Sequence, residues 1–381
     1  MNAESVTHET YFQRLWRHFH ADPFARNGLR MVIVLFVISS LAPFIANSHA
    51  LIRVADGRVT FPVFLSLEPI EWRFLLYLPL AAIIFFLRRH FMAHPRFSMI
   101  LVVGLVALLE IILAISHPFN DPTNDRDRAA SFKLLPLIPY SPIESTPDPF
   151  SPPSWKHLCG TDSTGRDIAA RMLHGARISL SIGFVSQSIA LLIGITLGGT
   201  AGYYRGWIDI GVSRFIEIIE CFPSLLLILV AISLFESQNN MFYIMLVIGL
   251  TSWTGMARLV RGEFLRLSAQ PFTLAAKAVG SGDVRIILRH LLPNALGPVL
   301  VAVTFGVASA ILIESSLSFL GFGMQAPTPS WGDILSESRR YIDFAWWLAF
   351  FPGLAILITI MSYNFVGEGL RDAVDPRLRI K

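Results

Sequence analysis

Apolar runs alternate with short polar, arginine-bearing joints along nearly the whole chain. Leu29 to Ala46, Ser98 to Ser116, Ile178 to Tyr203, Phe215 to Phe235, Phe242 to Val260, Pro298 to Leu320 and Phe344 to Phe365 each predict an apolar helix that could cross a bilayer. Phe74 to Leu87 is short for that. It reaches a workable length by borrowing Ile70 to Arg73, which puts Trp72 at the interface. The pattern predicts an all-α polytopic membrane protein of about eight spans. A six-span alternative leaves one early segment lying in the interface.

The joints carry further information. Arg14, Arg17, Arg26 and Arg30 precede the first run and predict a cytoplasmic N-terminus. Ser48-His49-Ala50 would pass as a signal-peptide cleavage site, but the region leading to it is too long. Arg88, Arg89 and His90 mark one return to the cytosol, and Arg258, Arg261 and Arg266 mark another. Ile45 to Phe64 reads as strand, turn and strand, with Asp56-Gly57 as the turn. His117 to His174 is polar, proline-rich and too long for a simple connection. Gly194, Gly198 and Gly202 recur every four residues, a stripe that permits close packing of another span, its own or a partner's. Glu110 falls near the end of a span. Glu314 falls deep in one beside Ser315 and Ser316, and is the best candidate for a pathway residue. A structural hydrogen bond to a neighbouring helix is the competing role for Glu314.

Composition narrows the class. Of the residues, 53% are hydrophobic and only 15% charged, against about 25% charged in soluble domains. The net charge of +4 is scattered, which disfavours a nucleic-acid binder. Two cysteines, Cys159 and Cys221, are too few for a disulfide framework or a zinc site. Asp162 and Asp167 have no histidine at ligand spacing, and no nucleophile–histidine–acid arrangement stands out. No GxxxxGK[ST] phosphate loop occurs, so ATP hydrolysis is not expected of this chain.

Gln270 to Asn294 is a short, cytoplasmic-looking hinge of two helices in an otherwise very apolar chain. Phe272, Ala275, Ala276 and Val279 form one narrow apolar helical face, Pro271 suits a first turn and Gly280 a helix stop. A second helix is expected from an Asp283 N-cap, with Val284, Ile287, Leu288 and Leu291 as its stripe and Pro293 closing it. These two helices pack either on their own chain or on a partner.

Here a family resemblance enters. Ala275, Ala276 and Gly280, followed by His290, Leu292 and Pro293, resemble the EAA loop of binding-protein-dependent ABC importer permeases. Leu274 stands where the motif has its Glu, as in many peptide-type permeases, so any salt bridge of that Glu is not expected. Three more segments resemble the second-type permeases of dipeptide, oligopeptide and nickel importers: GTDSTGRD at Gly160 to Asp167, SLSFLGFGMQAPTPSWGDIL at Ser316 to Leu335, and GEGLRDAVDPRLR at Gly367 to Arg379. Ile45 to Phe64 is similar to the first external loop of the microcin C branch.

The resemblance implies a type I ABC importer permease fold with a cytoplasmic EAA coupling helix, in the bacterial inner membrane, with both termini cytoplasmic. It implies a heterodimer with a second permease subunit, two ABC ATPase subunits that bind the ATP, and an extracytoplasmic substrate-binding protein; no cofactor is expected on the chain itself. The ATPase-coupling residues would be Phe272, Ala275, Ala276, Val279, Gly280, His290 and Pro293. The expected layout is a cytoplasmic segment at 1–30, a transmembrane region with an additional helix pair at 31–116, and an extracytoplasmic loop at 117–177. The core permease domain follows at 178–366, with its EAA loop at 262–297, and a cytoplasmic tail at 367–381. Peptides are the default cargo, and nickel chelates or oligosaccharides are the alternatives. An ion-coupled secondary carrier would need inverted repeats and essential mid-membrane acids; no convincing repeat is visible, and only Glu314 qualifies.

Overall fold

The computed structural model describes residues 11–55, 58–67, 71–72, 132–234, 241–324 and 327–374. Apart from Glu71 and Trp72, the span expected at Ile70 to Leu87 lies outside those residues, as do the span at Ser98 to Ser116, Glu110 and the Asp56-Gly57 turn. The chain divides into two compact units. One comprises residues 1–34, 178–342 and 349–381; the other comprises 35–177 and 343–348.

The first unit is helical. An amphipathic helix α1 (Tyr11–Ala21) leads into α2 (Pro23–Ser40). Asp22 caps α2 by accepting from the Phe24 amide at 2.9 Å, and Pro23 occupies the first turn. The short α3 (Ala42–Ile45) and α4 (Pro62–Leu65) belong to the second unit, and the long helix α5, Ile168–Tyr204, starts there and runs on into the first. It is followed by α6 (Gly206–Glu220), α7 (Ser224–Ser233), α8 (Met241–Ser268), α9 (Pro271–Ala278), α10 (Asp283–Phe319), α11 (Trp331–Tyr341) and α12 (Trp347–Val374). Among the described residues five helices are long and apolar enough to cross a membrane, or six if α6 and α7 count as one broken span.

Three boundaries differ from the sequence expectation for identifiable reasons. The single span expected over Phe215 to Phe235 is two helices meeting at 81°. Pro223 sits at the break, where its missing N–H and rigid ring prevent the helix from continuing. Conversely, Pro293 and Pro298 do not stop α10, which runs through both. A π-helical turn at Ile287–Leu291 lies immediately before Pro293, and such a widened turn absorbs the clash a proline ring makes with the preceding turn. The segment beginning at Gly367, expected as a tail, continues α12 as far as Val374.

Helix α5 seats on α8 through its glycine stripe. A Cβ added at Gly194 would lie 2.5 Å from Met256 Cγ, and one at Gly202 would lie 2.6 Å from the Arg261 carbonyl oxygen. At Gly198 it would run into the carbonyl of Ala257 and lie 2.9 Å from its Cα. The stripe therefore faces a span of its own chain. On another face, a Cβ at Gly183 would lie 2.7 Å from Ile311 on α10. Elsewhere in the unit, Phe19 of α1 is buried with Ala25 of α2 against Val366 and Ala373 of α12.

The second unit holds a three-stranded antiparallel sheet of order β2-β1-β3. Strands β1 (Ile52–Ala55) and β2 (Arg58–Thr60) pair with Val54 opposite Val59. Strand β3 (Phe132–Leu134) comes from the proline-rich segment and pairs with β1, Arg53 opposite Lys133. Nothing in the sequence announced β3, because so short a strand leaves no alternation long enough to read. Trp347 Nε1 donates to the Thr161 carbonyl at 3.1 Å within the same unit.

Candidate functional site

The Gln270 to Asn294 loop is fixed from inside and apolar outside. Helix α9 turns Thr273 inward, where its Oγ1 donates to the Leu267 carbonyl at 2.8 Å. Ile286 and Leu291 are buried in a cluster with Val260, Phe264, Leu267, Ala295 and Val299, against which Ala276 packs. Phe272, Leu274, Ala275, Val279, Val284 and Leu288 are exposed, Val279 to 87%. The face expected from periodicity is thus split: Ala276 turns in with Thr273, while Phe272, Ala275 and Val279 turn out. In the second helix, Ile286 is the buried position that the predicted stripe omitted, and Val284 and Leu288 point outward.

The turn between the helices has a definite chemistry. Gly280 sits at φ +81°, its amide donates to Lys277 O at 2.9 Å, and the Ser281 amide donates to Ala276 O at 3.0 Å. These two bonds form a Schellman stop, which favours glycine at the left-handed position. Asp283 does not cap α10; Gly282 occupies the cap position. The Asp283 carboxylate instead accepts from the Tyr203 hydroxyl at 2.6 Å, and Lys277 Nζ lies 4.8 Å from the Tyr203 ring centroid. Sequence reading missed Tyr203, since only the fold brings it to a loop some 75 positions away. His290 lies in the π turn and Pro293 in the first α-helical turn after it, and the His290 carbonyl accepts from Asn294 Nδ2 at 2.7 Å.

Glu314 lies within α10. It is fully buried, and its Oε1 accepts from Ser318 Oγ at 2.9 Å and Ser330 Oγ at 2.8 Å. Ser330 in turn caps α11 by accepting from the Asp333 amide at 3.0 Å. The geometry fits a side chain that ties the Ser330-Trp331 turn to α10, the hydrogen-bonding role that competes with the pathway role for this acid. Glu314→Leu, which leaves two buried hydroxyls without their acceptor, is expected to lower stability by roughly 1–3 kcal/mol. Glu314→Gln keeps an acceptor oxygen and should lose less. Thermal unfolding in detergent measures both; solute uptake that falls with no change in unfolding temperature would favour the pathway role instead.

The GTDSTGRD segment is an internally bonded knot. Asp162 is buried; its Oδ1 accepts from the Thr164 and Arg166 amides at 2.8 and 2.9 Å, and its Oδ2 pairs with Arg166 and Arg171. Asp167 caps α5 through the Ala170 amide at 2.8 Å, and His157 Nδ1 lies 2.9 Å from its other oxygen. The histidine that spacing did not offer is therefore supplied by the fold, in a structural pair; among the described residues no cluster could hold a metal ion. Burial pushes the Cys159 thiol up to about 11, with the Asp167 charge adding to it, so it is a poor nucleophile. Burial by itself would raise the Asp162 carboxyl, but Arg171, the Arg166 amide and the Arg166 charge hold it below its ordinary 3.8. A depressed carboxyl adds stability that is complete above the unfolded value and lost as pH falls through the folded one. Amide protection at Thr164 and Arg166, corrected for intrinsic exchange, should therefore persist down to pH 3.8 and fade only below it. Loss beginning near pH 6 would contradict this.

Comparison with known proteins adds an independent finding. Residues 194–380 match the family described as binding-protein-dependent transport system inner membrane component. The chain is 43% identical over 229 residues to the dipeptide transport system permease protein DppC of Alkalihalophilus pseudofirmus, covering 60% of this chain and 74% of that one. It is 40% identical over 227 residues to the glutathione transport system permease protein GsiD of Pectobacterium atrosepticum, covering 60% of this chain and 75% of the relative. Among solved structures, an inward-facing form of the MetNI methionine ABC transporter aligns with a TM-score of 0.44 at 19% identity, over 53% of this chain and 95% of that one. With relatives this similar over about three quarters of their length, the chain belongs to the family of binding-protein-dependent transport system inner membrane components.

Proposed function

We propose that this chain is the permease subunit of an ATP-binding-cassette importer of peptides, and that it forms the translocation pathway together with a sister permease. It is a transport subunit and not an enzyme. ATP is bound and hydrolysed on separate ATPase subunits, and a substrate-binding protein delivers the cargo. The peptide class follows the relatives, which are permeases named for dipeptide and glutathione transport. The chain is multi-pass in the inner membrane, with both termini in the cytosol.

The observation that carries the reading is the outward apolar ridge of Phe272, Leu274, Val279, Val284 and Leu288 on a loop otherwise locked to its own helices. Short helices with apolar residues on an exposed face are what a groove on a partner receives. Alternating access then requires the ATPases to hold this ridge differently in their open and closed states, since only differential binding shifts an equilibrium. The test is ATP hydrolysis in lipid nanodiscs, comparing the chain alone with the complex containing its sister permease and ATPases. Hydrolysis is expected from the complex only, and under the control of the binding protein. Solute movement by the chain alone, driven by an ion gradient, would overturn the proposal in favour of a carrier.

A further inference from the structure

Tyr203 holds both limbs of the coupling loop at once. Its hydroxyl donates to Asp283, which opens α10, and its ring lies under Lys277 of α9. The Schellman turn at Gly280 lies between those two residues. Tyr203 is buried at the end of α5, and the same helix reaches a second turn some distance away. There Ser179 Oγ accepts from the Trp331 amide at 3.2 Å, next to the Ser330 hydroxyl that donates to Glu314. Ser179 and Tyr203 are separated by roughly 36 Å of helix at 1.5 Å per residue, more than the hydrocarbon thickness of a bilayer. Between them, Gly194, Gly198 and Gly202 seat α5 backbone-to-backbone on α8, so this strut does not bend independently.

The contacts of Ile286 and Leu291 with the helix cluster are apolar and non-directional, and the Thr273 bond to Leu267 ties α9 to α8, not to α5. The hydroxyl–carboxylate bond is directional and charge-assisted, so it carries displacement along one line. We propose that Tyr203 is the positioning residue through which movement of the coupling loop is handed to α5 and on to the Ser330-Trp331 turn. This inference rests on the permease reading above.

The experiment uses the complete nanodisc complex and a binding protein loaded from a tryptic peptide digest. The readout is the ratio of ATP hydrolysis with that binding protein to hydrolysis without it. Tyr203→Phe keeps the ring under Lys277 and removes only the hydroxyl. It is expected to reduce the ratio at least about fivefold, the lower range of measured couplings, with basal hydrolysis, assembly and unfolding temperature unchanged. Asp283→Asn retains an acceptor for the hydroxyl and is expected to keep most of the stimulation. A Tyr203→Phe complex stimulated like the parent would overturn the inference. So would a parallel fall in assembly, basal rate and stimulation, which would mark a merely structural contact. A parent complex that never assembles or never responds to the binding protein would overturn the permease reading, and this inference with it.

Discussion

Gly198→Leu is expected to prevent stable folding of the helical unit. The position allows no side chain at all: even a methyl group would meet the carbonyl of Ala257 and lie 2.9 Å from its Cα, and backbone cannot rotate aside as a side chain can. Relief requires α5 and α8 to separate along their shared length. That would also disturb Gly194 against Met256 and Gly202 against Phe264. Overpacking of a fitted interior typically costs 1–3 kcal/mol, and a site walled by backbone should exceed about 3 kcal/mol. Gly255→Leu is the matched control, because nothing lies within 4 Å of a Cβ there. Yield of monodisperse protein and unfolding temperature in detergent should collapse for Gly198→Leu and hold for Gly255→Leu. Equal behaviour of the two would mean that α5 and α8 do not approach closely.

Val279→Asp should have the largest effect on function without harming the fold. Val279 is 87% exposed at the end of α9, so its replacement disturbs little inside the chain. Docked in an apolar groove, the same position would lose the burial of a valine, worth roughly 1.5–3 kcal/mol, and would bring a carboxylate into an apolar site. About 2.7 kcal/mol corresponds to a hundredfold loss of affinity. Binding of purified ATPase subunits to nanodiscs carrying the variant should weaken by about that factor, with an unchanged unfolding temperature. Thr273→Val provides the contrast. It breaks an internal bond to Leu267 and should lower stability more than ATPase affinity. Undiminished ATPase binding by Val279→Asp would show that the ridge is not the docking surface.

Much of the helical unit was legible because hydrophobic runs and Arg-bearing joints report directly on burial in lipid. The glycine stripe was legible too, though not its target, since Met256 and Ala257 lie on a helix that spacing alone cannot place opposite. Proline was a poor guide in both directions. Pro223 breaks a span that reads as continuous, whereas Pro293 lies within a helix that reads as finished, because a π turn before it absorbs the ring. In the Gln270 to Asn294 loop, periodicity found the helices but not their rotation. Thr273, a polar residue, takes the inward place by bonding to a carbonyl, and that turns Val279 and Phe272 outward.

By itself, the sequence determined the membrane class, the order of the spans from Ile178 onward and the position of the two-helix loop at Gln270 to Asn294. Each of these depends on local patterning: the length of an apolar run, a glycine at a helix stop, and motifs read in order. Tertiary structure alone decided what the buried polar groups do. Glu314 meets Ser330 across a turn, Asp167 meets His157, and Tyr203 meets Asp283 and Lys277. A polar side chain in an apolar interior must find a partner, and the chain sets which one only after its helices have packed.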